Sequence, residues 1–372
     1  MNLAIDAHNI KSGGGKKYII KILENYKKNY NFNNIFIWGH SSLLNQIPNN
    51  KVIKKKILKR TKFIPQKISD IFWHLFIFKK EVENYNCNYV FFPGGINLTF
   101  IKKKTYTTIL NMEPFFKNKN DSSIFNFKKR IRLLLLKYVL LKSIDQSTGI
   151  IFLNKYLKVF FKKNYNINKK NTISLLGINI LKIKKIQKKI SLYNLKKPFI
   201  IAYVSTIFSY KNHLKTIGAI KKIIKDGLPI KFYIIGDSHD LNLENQIKVS
   251  IKNFKQIKYV GYLTNQKLKS FYRKINLKIF SSSCEAFPNI MLEAANYEIP
   301  IACSNKQPMP SIFNKNCIYF NPNNENDIYL KLKKLIINHK LREKNSRLCK
   351  KTLIKKYQWE NCAKKIFTFI SG

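Results

Sequence analysis

The sequence predicts an α/β fold: two doubly wound domains, each with a parallel sheet between helices. Three observations lead there. The chain has 372 residues, enough for two domains with cores of their own. Short runs of Ile, Val, Phe and Tyr alternate with segments whose apolar residues recur at helical spacing. These alternations come at the length of βα units, which argues for parallel strands joined by crossover helices.

The second half carries the pattern most plainly. Strands are expected at 199–204, 231–235, 257–260, 277–280 and 299–303, with helices at 212–225, 266–275 and from 288 onward. Leu214, Ile217, Ile220, Ile223 and Ile224 form the apolar face of the first of these helices. From about 326 to 370 the sequence reads as amphipathic helix without proline. The first half repeats the signal more weakly, with strands at 2–6, 34–38, 88–92, 106–110 and 148–153 and helices at about 16–29 and 123–144. The implied division is a first domain at 1–178, a lysine-rich linker at 179–197, a second domain at 198–355 and a last helix at 356–372 that returns to the first domain.

Composition excludes several classes. Met1–Asp6 reads as a strand and lacks the basic start and apolar centre of a signal peptide. The apolar runs at 71–78 and 133–141 fall well short of the ~20 residues that span a bilayer, so a cytoplasmic protein is expected. Six cysteines show neither a Cys-x-x-Cys pair nor a His/Cys cluster, which fits reduced thiols rather than disulfides or zinc. The net charge of +51 comes from 70 basic residues, of which six are arginine. Spread evenly and accompanied by abundant Asn, Ile, Tyr and Phe, the lysines fit compositional drift of an AT-rich genome. A nucleic-acid reader would concentrate arginine. Salt-dependent adhesion to polyanions and acidic lipids follows in either case.

The candidate site lies in the second half. After the strand at 277–280 comes Ser281-Ser-Ser283, then Glu285-Ala-Phe-Pro-Asn-Ile-Met-Leu-Glu293. Pro288 suits the first helical position, and Asn289 and Glu293 then share a face while Ile290, Met291 and Ala294 cover the other. Glu285 stands above the carboxyl end of a strand, where open α/β sheets hold ligands. The spacing allows one carboxylate to meet a sugar and the other a ribose, with phosphate at the helix N-terminus. A solvated helix face is the plainer alternative for either glutamate.

With Tyr203-Val-Ser-Thr-Ile207, Lys211-Asn-His213, Gly236-Asp237, Gly261-Tyr-Leu263 and Asn321-Pro322 followed by Asp327, this motif makes 202–327 resemble the nucleotide-sugar-binding domain of retaining GT-B glycosyltransferases, especially family four (glycosyl transferases group 1). The resemblance implies two Rossmann-like domains facing across a cleft. It implies hexosyl transfer from a nucleotide diphosphate sugar to a cell-surface polysaccharide or lipopolysaccharide precursor (O-antigen or capsule), with no cofactor beyond that donor. Glu285 would contact the donor sugar, Lys211 the pyrophosphate and the leaving group, and Glu293 the ribose hydroxyls. The amides near Pro288, Asn289 and Ile290 would cradle the phosphates, and Ser205, Thr206, Gly261 and Tyr262 would complete the donor site. No Asp-x-Asp motif is present to hold a divalent metal, so metal-independent chemistry is expected.

In the first half, Ser12-Gly13-Gly14-Gly15 follows the first strand and opens a helix, a turn that lets a phosphate or sugar approach the backbone. Asn111 belongs to the loop that resembles the family's acceptor-side loop, in which Leu110 replaces a frequent histidine. Thr206 replaces an arginine that pairs with the lysine. His8 reads as a site residue or as a capping side chain.

The basic segment Lys128–Arg132 running into Leu133–Leu136, Tyr138 and Val139 reads either as a helix docking on an anionic membrane, at the inner face of the cytoplasmic membrane, or as a core helix with a lysine-decorated end. Ile71–Phe78 is a second candidate contact, for which core packing is the simpler reading. The partners expected are a nucleotide sugar and a lipid-linked or saccharide acceptor. Two other functions share these features: a sugar-nucleotide 2-epimerase of the same fold, and a non-catalytic polyanion-binding protein, against which the lysine spread counts.

Overall fold

The computed structural model describes residues 1–11, 13–58, 65–116, 127–179 and 193–372. The chain forms two compact units, Met1–Gly177 with Tyr357–Gly372, and Ile178–Lys356. Much of the segment expected as a linker, 180–192, lies outside the described residues, as do Ser12 and 123–126.

The first unit runs β1 (Asn2–Asp6), α1 (Gly13–Glu24), β2 (Asn34–Gly39), α2 (Ser41–Leu44), β3 (Ile53–Ile57), α3 (Gln66–Phe72), α4 (Phe78–Asn84), β4 (Tyr89–Phe92), β5 (Lys104–Thr108), α5 (Phe127–Gln146), β6 (Gly149–Phe152), α6 (Lys155–Tyr165) and β7 (Lys170–Ile173). Its strands pair in parallel in the order β3-β2-β1-β4-β5-β6-β7. The central strands are buried on both faces, as apolar runs such as Leu3-Ala-Ile5 require. Two strands that the pattern did not single out, β3 and β7, are the edges; the Lys54-Lys-Lys56 run of β3 is the kind of charge that blunts an edge. The helix expected at 16–29 begins instead at Gly13 and ends at Glu24, and a separate 3-10 turn, Lys28–Tyr30, is closed by Asn31 in the left-handed region. Between α3 and α4 the backbone widens into a π-turn, Trp73–Ile77.

The second unit runs β8 (Phe199–Val204), α7 (His213–Lys225), β9 (Ile230–Ile235), α8 (Leu241–Ile251), β10 (Ile257–Gly261), α9 (Asn265–Tyr272), β11 (Leu277–Phe280), α10 (Asn289–Asn296), β12 (Ile301–Ser304), α11 (Met309–Phe313), β13 (Ile318–Phe320), α12 (Glu325–Ile337) and α13 (His339–Lys356). The parallel order is β10-β9-β8-β11-β12-β13. The chain leaves β8 toward one edge and returns at β11 toward the other, so the topological switch point lies between β8 and β11.

The final helix, α14 (Trp359–Ser371), belongs to the first unit. Phe367 packs against Tyr26 and Tyr30, and Ser174 Oγ donates to the Cys362 carbonyl at 3.1 Å. Gly177 has no room for a side chain here: a Cβ would lie 2.2 Å from the Trp359 nitrogen. No helix among the described residues is long and apolar enough to cross a membrane. All six cysteines are buried and none is in a disulfide; Cys317 and Cys349 approach to 3.7 Å between sulfurs.

Candidate functional site

The loops that follow β8 and β11 meet at the switch point, and Lys211-Asn212-His213 joins them. Each of the three does a different job. Asn212 takes the left-handed conformation (φ 54°, ψ 40°), which Asn tolerates better than most residues. Its Nδ2 donates to the Ser281 carbonyl at 2.8 Å and to Ser283 Oγ at 2.7 Å, stapling the β8 loop to the β11 loop. His213 begins α7, stacks on Tyr203 at 4.4 Å and places Nε2 3.1 Å from Ser205 Oγ. Burial, reinforced by the Lys211 charge, pushes its pKa down to about 3, so this imidazole is neutral at physiological pH. Tyr203 donates from its hydroxyl to the Lys211 carbonyl at 2.6 Å and fixes the backbone at the lysine.

That scaffold holds Lys211 almost fully buried, with its ammonium paired to Glu285 Oε1. The same Nζ lies 5.0 Å from the Phe280 ring centroid and 5.2 Å from that of Tyr210. The two residues expected to act on the donor therefore hold each other. Glu293 sits one helix segment on, half-buried on α10, and Tyr272 donates to its Oε2 at 3.4 Å. Beneath it Lys278, fully buried on β11, has no hydrogen-bond partner among the described residues; burial holds its pKa well below the usual lysine value, while Glu293 pulls it upward.

Several expected roles change with the geometry. Pro288 is the residue before the helix (φ −85°, ψ 66°) rather than its first residue. It has no N–H to offer, and the Asn289 N–H donates to the Phe287 carbonyl at 3.0 Å, so of the three expected amides Ile290 is the one left to face an anion. Ile290 is half-buried on the same side as Asn289 and Glu293, while Met291, Leu292, Ala294 and Ala295 form the buried face. The Ser205 hydroxyl turns inward to His213, and Thr206 stays half-buried beside it. Gly261 ends β10, where its carbonyl accepts from the Gly236 N–H at 2.9 Å. Tyr262 follows at 70% exposure, at the far edge of the sheet from β11 and β12. Gly236 itself is obligatory: φ is +149° and a Cβ would lie 1.9 Å from the Ser205 carbonyl oxygen. Tyr272 and Lys278 were not among the expected site residues. The signal for Lys278 was present in the sequence, as a lone cation inside the apolar strand Leu277–Phe280.

In the first unit, Gly13, Gly14 and Gly15 form the first turn of α1, with Gly13 at φ +65°. Leu110 packs over Gly15, its Cδ1 3.4 Å from where a Cβ would stand. Asn111 is exposed, and its Oδ1 accepts from the Glu113 N–H at 2.9 Å, closing a local turn. The His8 Nδ1 lies 2.8 Å from Asp6 Oδ1, and His74 Nδ1 lies 2.6 Å from Asp6 Oδ2. Burial alone would raise the Asp6 pKa, yet the two imidazoles outweigh it and hold it well below the carboxylate range. Asp6, His8 and His74 have the composition of a metal-ligand set. Their bonding does not fit one, because His74 Nε2 accepts the Leu98 N–H at 3.1 Å, which leaves the ring proton on Nδ1, directed at Asp6.

With the fold and this geometry in place, the comparisons with known proteins fall into order. Residues 184–352 match the family described as "Glycosyl transferases group 1". The matched stretch lies within the second unit, Ile178–Lys356. CapM of Staphylococcus aureus, a capsular polysaccharide biosynthesis glycosyltransferase, is 30% identical over 43% of this chain and 44% of its own length. The match thus spans less than half of that relative. Among solved structures, a glycosyltransferase from Rickettsia africae ESF-5 superimposes with TM-score 0.72 at 18% identity, covering 99% of this chain and 98% of that one. Anabaena HepE, solved with UDP and glucose, gives 0.71 at 12% identity over 98% of both chains. These likenesses extend the GT-B fold to the whole chain. The switch-point residues Lys211, Glu285 and Glu293 all lie inside the matched stretch.

Proposed function

We propose that this chain is a retaining glycosyltransferase that moves a hexosyl unit from a nucleotide diphosphate sugar to a saccharide or lipid-linked precursor of a cell-surface polysaccharide, such as capsule or lipopolysaccharide. One observation carries the reading: the Lys211–Glu285 pair buried at the switch point, with Glu293 on the helix that follows. Buried pairs of this kind cost desolvation and are weak devices for stability alone, whereas a site that must hold a diphosphate needs a cation in a dry setting. The Glu285 carboxylate is the anion that Lys211 pairs with. A bound diphosphate displaces it from Lys211 and frees it to accept from sugar hydroxyls. Glu293, steadied by Tyr272, accepts from the ribose hydroxyls. Lys211 and the Ile290 amide at the start of α10 then stabilise the charge that grows on the leaving diphosphate, without a metal. The leaving phosphate takes the proton of the incoming hydroxyl. CapM's capsule role and the UDP and glucose bound to HepE support the donor and acceptor classes.

The test is a thermal-shift panel of UDP-, GDP- and dTDP-sugars on wild type, Lys211→Ala and Glu293→Ala, followed by product analysis with and without acceptor. A donor that raises the wild-type melting temperature and fails to do so in either variant is the expected result. No shift with any donor, or equal shifts in the variants, refutes the site. Donor isomerised without acceptor would make it an epimerase.

A further inference from the structure

Helix α5 is apolar on two sides, and the core covers one of them. Leu140 and Ile144 are buried, and Leu133 and Leu136 are half-buried on the same side. Phe127, Ile131, Leu134, Leu135 and Tyr138 follow the i, i+4, i+7, i+8, i+11 spacing of one stripe and lie on the solvent side. Leu134 is 67% exposed and Leu135 61%. At 100° per residue, Lys128 and Arg132 border that stripe on one flank and Arg130 and Lys137 on the other. The one carboxylate of the helix, Asp145, lies in its last turn, beyond the stripe. Glu113 is engaged by Lys129 at 3.5 Å on the core-facing side.

A second element extends the stripe. Phe100 is 70% exposed although its φ is +46°, a conformation that costs a bulky residue strain. The loop that holds it is anchored to α5, since the Asn97 N–H donates to Ser143 Oγ at 2.8 Å, and to the π-turn, through Leu98 and His74. Lys142 Nζ lies 5.7 Å from the Phe100 ring and 6.0 Å from the Tyr138 ring, so one cation is shared between the loop and the stripe.

From this arrangement we propose that the exposed face of α5, with Phe100, is a docking surface for an anionic lipid bilayer. The helix lies in the interface plane, its apolar stripe enters the acyl boundary, and the flanking Lys and Arg side chains reach the acidic headgroups. Charge complementarity selects this occupant. A second copy would bring the same cations to the same face, in a chain of net charge +51. A nucleic acid or other polyanion would meet the cations and leave the apolar stripe uncovered. The inference rests on the first unit alone and stands whether or not the second transfers sugar.

The experiment is co-sedimentation of the full chain with vesicles of phosphatidylcholine alone or doped with phosphatidylglycerol. Leu134→Glu/Leu135→Glu and Phe100→Ser are compared with Val249→Glu/Leu330→Glu, which places the same two charges on exposed apolar positions of α8 and α12. Wild type is expected to partition to the anionic vesicles and not to the neutral ones. The α5 variant should lose about tenfold or more in partition, Phe100→Ser a smaller factor, and the control less than about twofold. Unchanged melting and unchanged retention on heparin in all variants show that fold and bulk charge are intact. If the α5 variant and the control lose partition equally, binding is diffuse lysine electrostatics and the proposal fails. It also fails if wild type self-associates in vesicle-free sedimentation and the α5 variant abolishes that, because the face then belongs to a second copy.

Discussion

Replacing Lys211 with Met should destabilise the ligand-free second unit and abolish its response to nucleotide. The side chains of Lys211 and Glu285 are 10% and 14% exposed, so neither charge is well served by water once its partner is gone. Breaking a fully buried pair costs about 3–5 kcal/mol, and the residual exposure of this one reduces that to about 2–4. For a unit of this size each kcal/mol moves the melting temperature by about 2–4 °C, so a fall of about 6–12 °C is expected for a 3 kcal/mol loss. The decisive assay is a double-mutant cycle of Lys211→Met, Glu285→Leu and both together, by urea unfolding and by calorimetry. The double variant should be more stable than the sum of the singles implies, with a coupling of about 2 kcal/mol. Nucleotide at a hundred times its Kd should add about 2.7 kcal/mol to wild type and nothing to Lys211→Met. A coupling below about 0.5 kcal/mol, or an undiminished nucleotide effect, would refute the reasoning.

Other outcomes can be checked independently. His213 titrates at about 3 in the folded chain and near 6.5 when unfolded, so it contributes stability above pH 6.5 that is lost as pH falls toward 3; urea midpoints of wild type should drop across that window, and His213→Phe should lack this part of the slope. Asp6, depressed by His8 and His74, contributes above its unfolded pKa and loses that contribution in stronger acid. The stability gap between wild type and Asp6→Asn should therefore be about 2–3 kcal/mol at pH 7 and shrink below about pH 4. Gly236→Ala drives a Cβ against the Ser205 carbonyl, and Gly177→Ala drives one against the Trp359 backbone. Each should cost at least about 2 kcal/mol, read as a lower denaturant midpoint, with donor binding disturbed in the first.

Legibility of the fold followed burial. Strands with continuous apolar runs, such as Phe199–Val204 and Leu277–Phe280, lie where the pattern puts them because both faces of a parallel sheet are covered. The edges β3 and β7 were silent, since an edge strand needs only a partial apolar face and carries lysine without penalty. The apolar run Ile71–Phe78 divides between core and surface: the π-turn inside it changes the angular spacing, so Trp73, His74 and Phe78 go inward while Ile71, Phe72 and Phe76 go outward.

Sequence alone determined the alternation that demands doubly wound sheets and the order in which Lys211, Glu285 and Glu293 occur, because periodicity and motif spacing are properties of the chain. Tertiary structure decided what those residues do to one another. The contact of Lys211 with Glu285 spans 74 positions and exists because β8 and β11 are neighbours across the switch point. The same holds for the Asp6–His74 bond across 68 positions, for the Asn289 amide claimed by its own turn, and for which side of α5 the core covers. A hydrogen bond or a covered face depends on which strands pair and which helices dock, and no local spacing records that.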